Sequence, residues 1–210
     1  MAGDQARRAR QRAAKEARRK AVITERAKAG GAIVPTSVAG RVRAAASAPL
    51  WRCVAPGTLF ETGIGNVILA RRLPSGTVAA AFFLIDAHCL GVKDVHFREV
   101  EASRFIRSLD HIAKTQPMEE TDPAYARKLV NEAAAYAADL GLPPPPDFHA
   151  IERLFGEVDA AACTETFTFG QDGKPLYVPG PNDTPARIRQ VLARLQARLG
   201  PDGYHCIVPG

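Results

Sequence analysis

The chain has 210 residues, with 28 Lys and Arg against 22 Asp and Glu, and its net charge of +6 is unevenly placed. Residues 1 to 47 hold twelve basic residues against Asp4, Glu16 and Glu25, a balance of +9, which leaves the remainder at −3. That split excludes a uniformly basic protein, and the longest apolar run, residues 78 to 85, is far below the roughly 20 residues that a membrane-spanning helix requires.

The four cysteines, Cys53, Cys89, Cys163 and Cys206, include no C-x-x-C pair, and the first residues show no apolar secretory stretch. Reduced thiols and a cytoplasmic location are the expectation. Residues 1 to 30 read as a basic arm of alanine and arginine without an apolar stripe, helical by propensity but with little to dock on a core. Arg7, Arg8, Arg10, Arg12, Lys15, Arg18, Arg19 and Lys20 are the residues expected to meet RNA or DNA there, where each cation near a phosphate releases counterions. The alternatives for the same composition are a solubilising tail or a transit peptide. Residues 31 to 47, rich in Gly, Ala and Ser, read as a linker, and residues 48 to 210 as one domain of ordinary size.

That domain is expected to open with strands at residues 51 to 54, 66 to 73, 77 to 90 and 92 to 100, in an antiparallel meander turned at Pro74-Ser75-Gly76. Residues 101 to 114 carry Phe105, Ile106, Leu109 and Ile112 at helical spacing. The next helix is capped by Asp122, opened by Pro123 and stopped by Gly141. Pro143 to Pro146 form an extended spacer, with Asp147 as the expected cap of a short helix carrying Phe148, Ile151 and Leu154. Residues 164 to 170 alternate Thr and Phe before Asp172-Gly173, so a hairpin is expected with Gln171 opposite Lys174, Phe169 opposite Leu176 and Phe167 opposite Val178. Core packing is the preferred role for those phenylalanines, over stacking on bases. Thr184 and Pro185 start a helix with Ile188, Val191, Leu192, Leu195 and Leu199 on one side, and residues 204 to 208 form a terminal strand. The fold class is therefore α+β, largely antiparallel, with a central group of helices.

The chemistry worth weighing lies in residues 84 to 97. Alternation places Phe83, Ile85 and Ala87 on one face and Asp86 and His88 on the other, with Asp94 and His96 opposite them if a three-residue loop is centred on Gly91. His88 then faces Asp94 and Asp86 faces His96. Two carboxylates and two imidazoles in one patch suit an acid/base pair, or a divalent metal held by Asp86 and Asp94. Ion pairs on a solvent face are the plainer reading of the same residues. Walker, dinucleotide-loop and nucleophile-elbow patterns are missing.

Two segments, Phe83-Leu84-Ile85-Asp86 with Cys89-Leu90-Gly91-Val92-Lys93-Asp94, and Asp172-Gly173-Lys174-Pro175-Leu176-Tyr177 with Gly180-Pro181-Asn182-Asp183, resemble a bacterial protein family of unknown function, together with Tyr136-Ala137 and Asp147-Phe148. The resemblance implies one recurring domain after the linker and assigns no catalytic residue. Three functions are expected to compete: a nucleic-acid-associated binding protein using its arm, a metal-assisted hydrolase or nuclease using Asp86, His88, Asp94 and His96, and a protein interaction module.

Overall fold

Long apolar runs with β-branched residues build the sheet at the centre of the computed structural model, which describes residues 37–207. The basic arm and the first part of the expected linker lie outside the described residues. Strands β1 (Leu50–Ala55), β2 (Ile64–Arg72), β3 (Thr77–Asp86) and β4 (Gly91–Glu101) form an antiparallel meander, and β5 (Glu119–Glu120) adds to the far edge, giving the order β4-β3-β2-β1-β5. The α+β class and the meander are as expected. Inner strands β2 and β3 are buried on both faces, which explains why their sequences run apolar rather than alternating.

Both faces are covered by helices. Helices α1 (Val38–Ala45), α4 (Pro123–Asp139) and α5 (Phe148–Ile151) lie over the face that holds Val67, Leu69, Ala81, Phe83 and Ile85. Helix α3 (Ala102–Ala113) covers part of the other face, seating Phe105 against Trp51 and Phe82, with ring centres 5.4 and 6.4 Å apart. The short α2 (Leu59–Thr62) fills the link between β1 and β2.

Helix α1 corrects the linker boundary. Ser37 accepts the Gly40 N–H at 3.1 Å, and Val42 and Ala45 are buried in the core. Eight residues with only two buried side chains give no periodic stripe, so the composition reads as linker while the fold uses it as packing. Helix α4 follows its expected punctuation: the Asp122 side chain accepts the Ala124 N–H at 2.6 Å, and Gly141 takes a φ of +77°. Asp147 does not cap α5 through its side chain; Pro145 accepts the Phe148 N–H through its carbonyl instead.

The hairpin expected over residues 164 to 178 forms only its tip. Asp172 and Gly173 both take positive φ, and Gln171 pairs with Lys174. Beyond it the donors go elsewhere: Gly170 N–H bonds to the Ala87 carbonyl at 2.9 Å and Leu176 N–H to the His88 carbonyl at 3.0 Å. Phe167 and Phe169 therefore pack on Tyr125, Tyr136 and Phe60 rather than on Val178 and Leu176. Strand β6 (Leu176–Tyr177) pairs in parallel with β7 (His205–Cys206), shorter than the expected terminal strand, whose Val208 lies outside the described residues. Helix α6 (Pro185–Leu199), capped by Thr184, completes this part by burying Val191 and Leu195 against Cys89, Leu90, Leu140 and Tyr177.

Candidate functional site

The turn between β3 and β4 is the place where the sequence-marked residues are decided. Asp86 pairs with Gly91, so four residues rather than three make the loop, and a bulge at Lys93 shifts the pairing between Leu84↔Asp94 and Ile85↔Val92. Asp94 lies opposite Leu84, and His96 opposite Phe82. The expected partners His88 and Asp86 are each displaced by four strand positions, about 13 Å at the usual rise per residue. The four-residue constellation is therefore not formed. Among the described residues, no three His, Cys, Asp or Glu side chains are grouped as a metal centre requires.

Each of the four has a local role instead. Asp86 is buried, and its Oδ1 accepts the N–H groups of His88 at 3.1 Å and Cys89 at 2.9 Å, closing the turn. Burial raises its carboxyl above the ordinary value, opposed by those N–H donors and by the Lys93 charge. The His88 ring reaches α2, with Nε2 3.2 Å from the Phe60 carbonyl oxygen. Asp94 Oδ2 and His96 Nε2 are 3.0 Å apart on the exposed rim of β4. Burial, helped by the Asp86 charge, pushes the Cys89 thiol up to about 12, so it has little thiolate character at neutral pH.

Residues 83 to 94 and 172 to 183 meet at this turn. Besides the two backbone bonds from Gly170 and Leu176, the Tyr136 hydroxyl donates to the His88 carbonyl at 3.2 Å. Lys93, projected by the bulge, sits 3.8 Å from Asp183, whose Oδ2 also accepts the Gly180 N–H at 2.7 Å. Tyr177 is fully buried beside them, its hydroxyl without a protein partner among the described residues. This cluster joins the sheet to α6; its groups face one another, and the hydrogen bonds of Asp86 and Asp183 are directed to the chain's own backbone.

An open groove on the other side of the sheet has a different character. Its floor is Asn66 of β2 and Phe82 of β3, and its wall is α3, where Arg104, Arg107, Ser108 and His111 recur at helical spacing on one stripe. Strand β4 adds His96 and Arg98. The space is about 400 Å³. Among the described residues, no carboxylate forms a salt bridge with Arg98, Arg104 or Arg107, and Asp94 of β4 is tied to His96. Phe82 is half-buried and presents apolar surface between these cations.

Sequence reasoning read α3 by its apolar stripe alone. The complementary stripe of Arg104, Arg107 and His111 is visible at the same spacing, but its coincidence with Arg98 and Phe82 depends on which sheet face α3 covers. Compared with protein families, curated proteins and solved structures, the chain matches none.

Proposed function

We propose that the protein is a nucleic-acid-associated binding protein that combines two basic features, the arm of residues 1 to 30 and the groove along α3. The groove is the observation that carries this reading. Although the chain beyond residue 47 has an excess of acidic residues, Arg98, Arg104 and Arg107 gather on one side of the sheet with His96 and His111 beside them, where the three guanidinium fields add at a phosphate. The arm supplies sequence-independent affinity, and the groove a fixed contact. The hydrolase reading has no comparable support, because Asp86, His88, Asp94 and His96 do not meet.

Titration of a labelled RNA and a labelled DNA against the full chain tests the reading. Deletion of residues 1 to 30 should weaken binding and flatten its dependence on salt, by about 0.7 to 0.9 in the logarithmic slope per lost phosphate contact. Arg104→Ala with Arg107→Ala should weaken it further. Affinity unchanged by the deletion removes the arm from the function; affinity unchanged by the double substitution removes the groove.

A further inference from the structure

Resting on the nucleic-acid reading, we infer that the groove takes a single strand, with one unstacked base against the Phe82 ring and the adjoining phosphates along α3 and at Arg98. The floor and the wall have different chemistry. Phe82 offers a half-buried aromatic surface, and Ile112 and the methylenes of Arg98 extend it. The wall presents Arg104, Arg107 and His111 over a rise of about 10 Å along the helix, the span of two or three phosphates, with Arg104 and Arg107 as its cations.

A duplex presents phosphates outward and keeps its bases stacked, so it reaches the cationic wall and leaves the aromatic floor unused. An unpaired strand engages both, because every base has a face that stacks on an aromatic ring. The space of about 400 Å³ suits a group of nucleotide size and lies at the small end of ligand sites. Asn66 stands beside Phe82 on the floor, where its side-chain amide has no hydrogen-bond partner among the described residues, leaving a donor and an acceptor to a base edge. At the β4 end, the Asp94 carboxylate beside His96 opposes a phosphate. The backbone is therefore directed along α3 and Arg98, with the base turned towards Phe82. Neither the loop carrying Phe167 and Phe169 nor the cluster around Lys93 pairs a half-buried ring with arginines that, among the described residues, form no salt bridge.

The experiment titrates the full chain at fixed salt with a labelled 12-nucleotide oligouridine, the matching oligodeoxythymidine, and a 12-base-pair DNA duplex. Wild type is compared with Phe82→Leu and with Arg104→Ala/Arg107→Ala, and thermal melting verifies folding of each. The single strands should bind about tenfold tighter than the duplex, Phe82→Leu should weaken single strands about tenfold and leave the duplex unchanged, and the arginine variant should weaken all three. A 5-iodouridine strand irradiated on the wild-type chain should crosslink to the tryptic peptide carrying Phe82, a readout that holds even if Phe82→Leu fails to fold. Equal affinity for strand and duplex, with no crosslink at that peptide, overturns the single-strand inference and leaves the broader reading standing. Failure of all three probes to bind overturns both.

Discussion

Lys93 Nζ lies 3.8 Å from Asp183 Oδ2, with both side chains largely buried, and this pair ties the bulge of β4 to the loop that starts α6. The Lys93 charge also favours the Asp86 carboxylate at the end of β3, so one ammonium serves two acids. Lys93→Met keeps the apolar stem and removes the charge, leaving Asp183 supported by the Gly180 N–H alone. We expect a loss of about 2 kcal/mol, below the roughly 3 to 5 kcal/mol for breaking a fully buried pair because some solvent reaches both groups. Denaturant unfolding measures the loss, and hydrogen exchange should show α6 opening before the sheet. Unchanged exchange in α6 would show that the pair does not hold that helix.

Gly91 takes a φ of +59°, and a Cβ there would fall 2.1 Å from the Ala133 carbonyl oxygen. The obstacle is the backbone of α4, so the helix itself must shift. Gly91→Ala should destabilise by about 3 kcal/mol or more, through strain and overlap together. Gly76 provides the comparison: its φ is +84°, but a Cβ there meets nothing within 4 Å. Gly76→Ala should cost only the left-handed strain, about 1 to 2 kcal/mol. Thermal melts of the two variants, side by side, separate close approach from backbone strain, and equal losses would contradict the packing account.

The strands and the capped helices were legible because their signals are local. Pro74-Ser75-Gly76 turns β2 into β3, and Asp122, Pro123 and Gly141 bound α4 to within a residue or two. The Asp/His patch failed because strand register depends on a count. The loop falls at residues 87 to 90 instead of around Gly91, which moves the register five positions, and the Lys93 bulge takes one back, so Asp94 ends four positions from His88; Gly91 is held there against the backbone of α4, which is distant in sequence. The hairpin at Asp172-Gly173 failed for a related reason: its tip has the right turn chemistry, yet Gly170 and Leu176 give their N–H groups to Ala87 and His88. A local pattern reports what a segment is able to do, and here a distant acceptor decided the outcome. The groove was invisible for the opposite reason, since its residues come from β2, β3, β4 and α3 with no motif in common.

Asp86 gives stability a pH signature. Its carboxyl ionises near 3.8 as an unperturbed group and is raised in the folded chain by burial. Between the two values the folded state holds the proton more often, so this group's contribution is fully present below 3.8 and is lost as pH rises through the folded value. Asp86→Asn keeps an oxygen to accept from His88 and Cys89 and never ionises. The melting temperature of the variant should therefore rise relative to wild type as the pH is raised from 3 through the titration of Asp86, and stay level above it. Melting curves that keep a constant separation over that span would show that Asp86 is not desolvated.

Arg71 offers the sharpest test of how α1 and the segment after α5 are held to the sheet. It is buried on β2, and its guanidinium donates from Nε to the Leu154 carbonyl at 2.6 Å, from Nη2 to the Phe155 carbonyl at 2.7 Å, and from Nη1 to the Ala48 carbonyl. No carboxylate forms a salt bridge with it among the described residues, so three backbone acceptors from two distant segments replace the counter-ion. Burial accordingly lowers its pKa from the ordinary value. Only a planar fork reaches all three: Lys at this position keeps the charge but places its donors at one point. Arg71→Lys should leave at least one of these carbonyls unpaired and cost about 2 to 4 kcal/mol, one to three for each orphaned acceptor. The denaturant midpoint should fall with an unchanged slope, and backbone amides in residues 38 to 48 and 152 to 158 should exchange faster than those of β3. If Arg71→Lys matched wild type in midpoint and exchange, the charge alone would suffice and the fork would be dispensable; if Arg71→Met were the more stable of the two variants, desolvation of the cation would outweigh its remaining bonds.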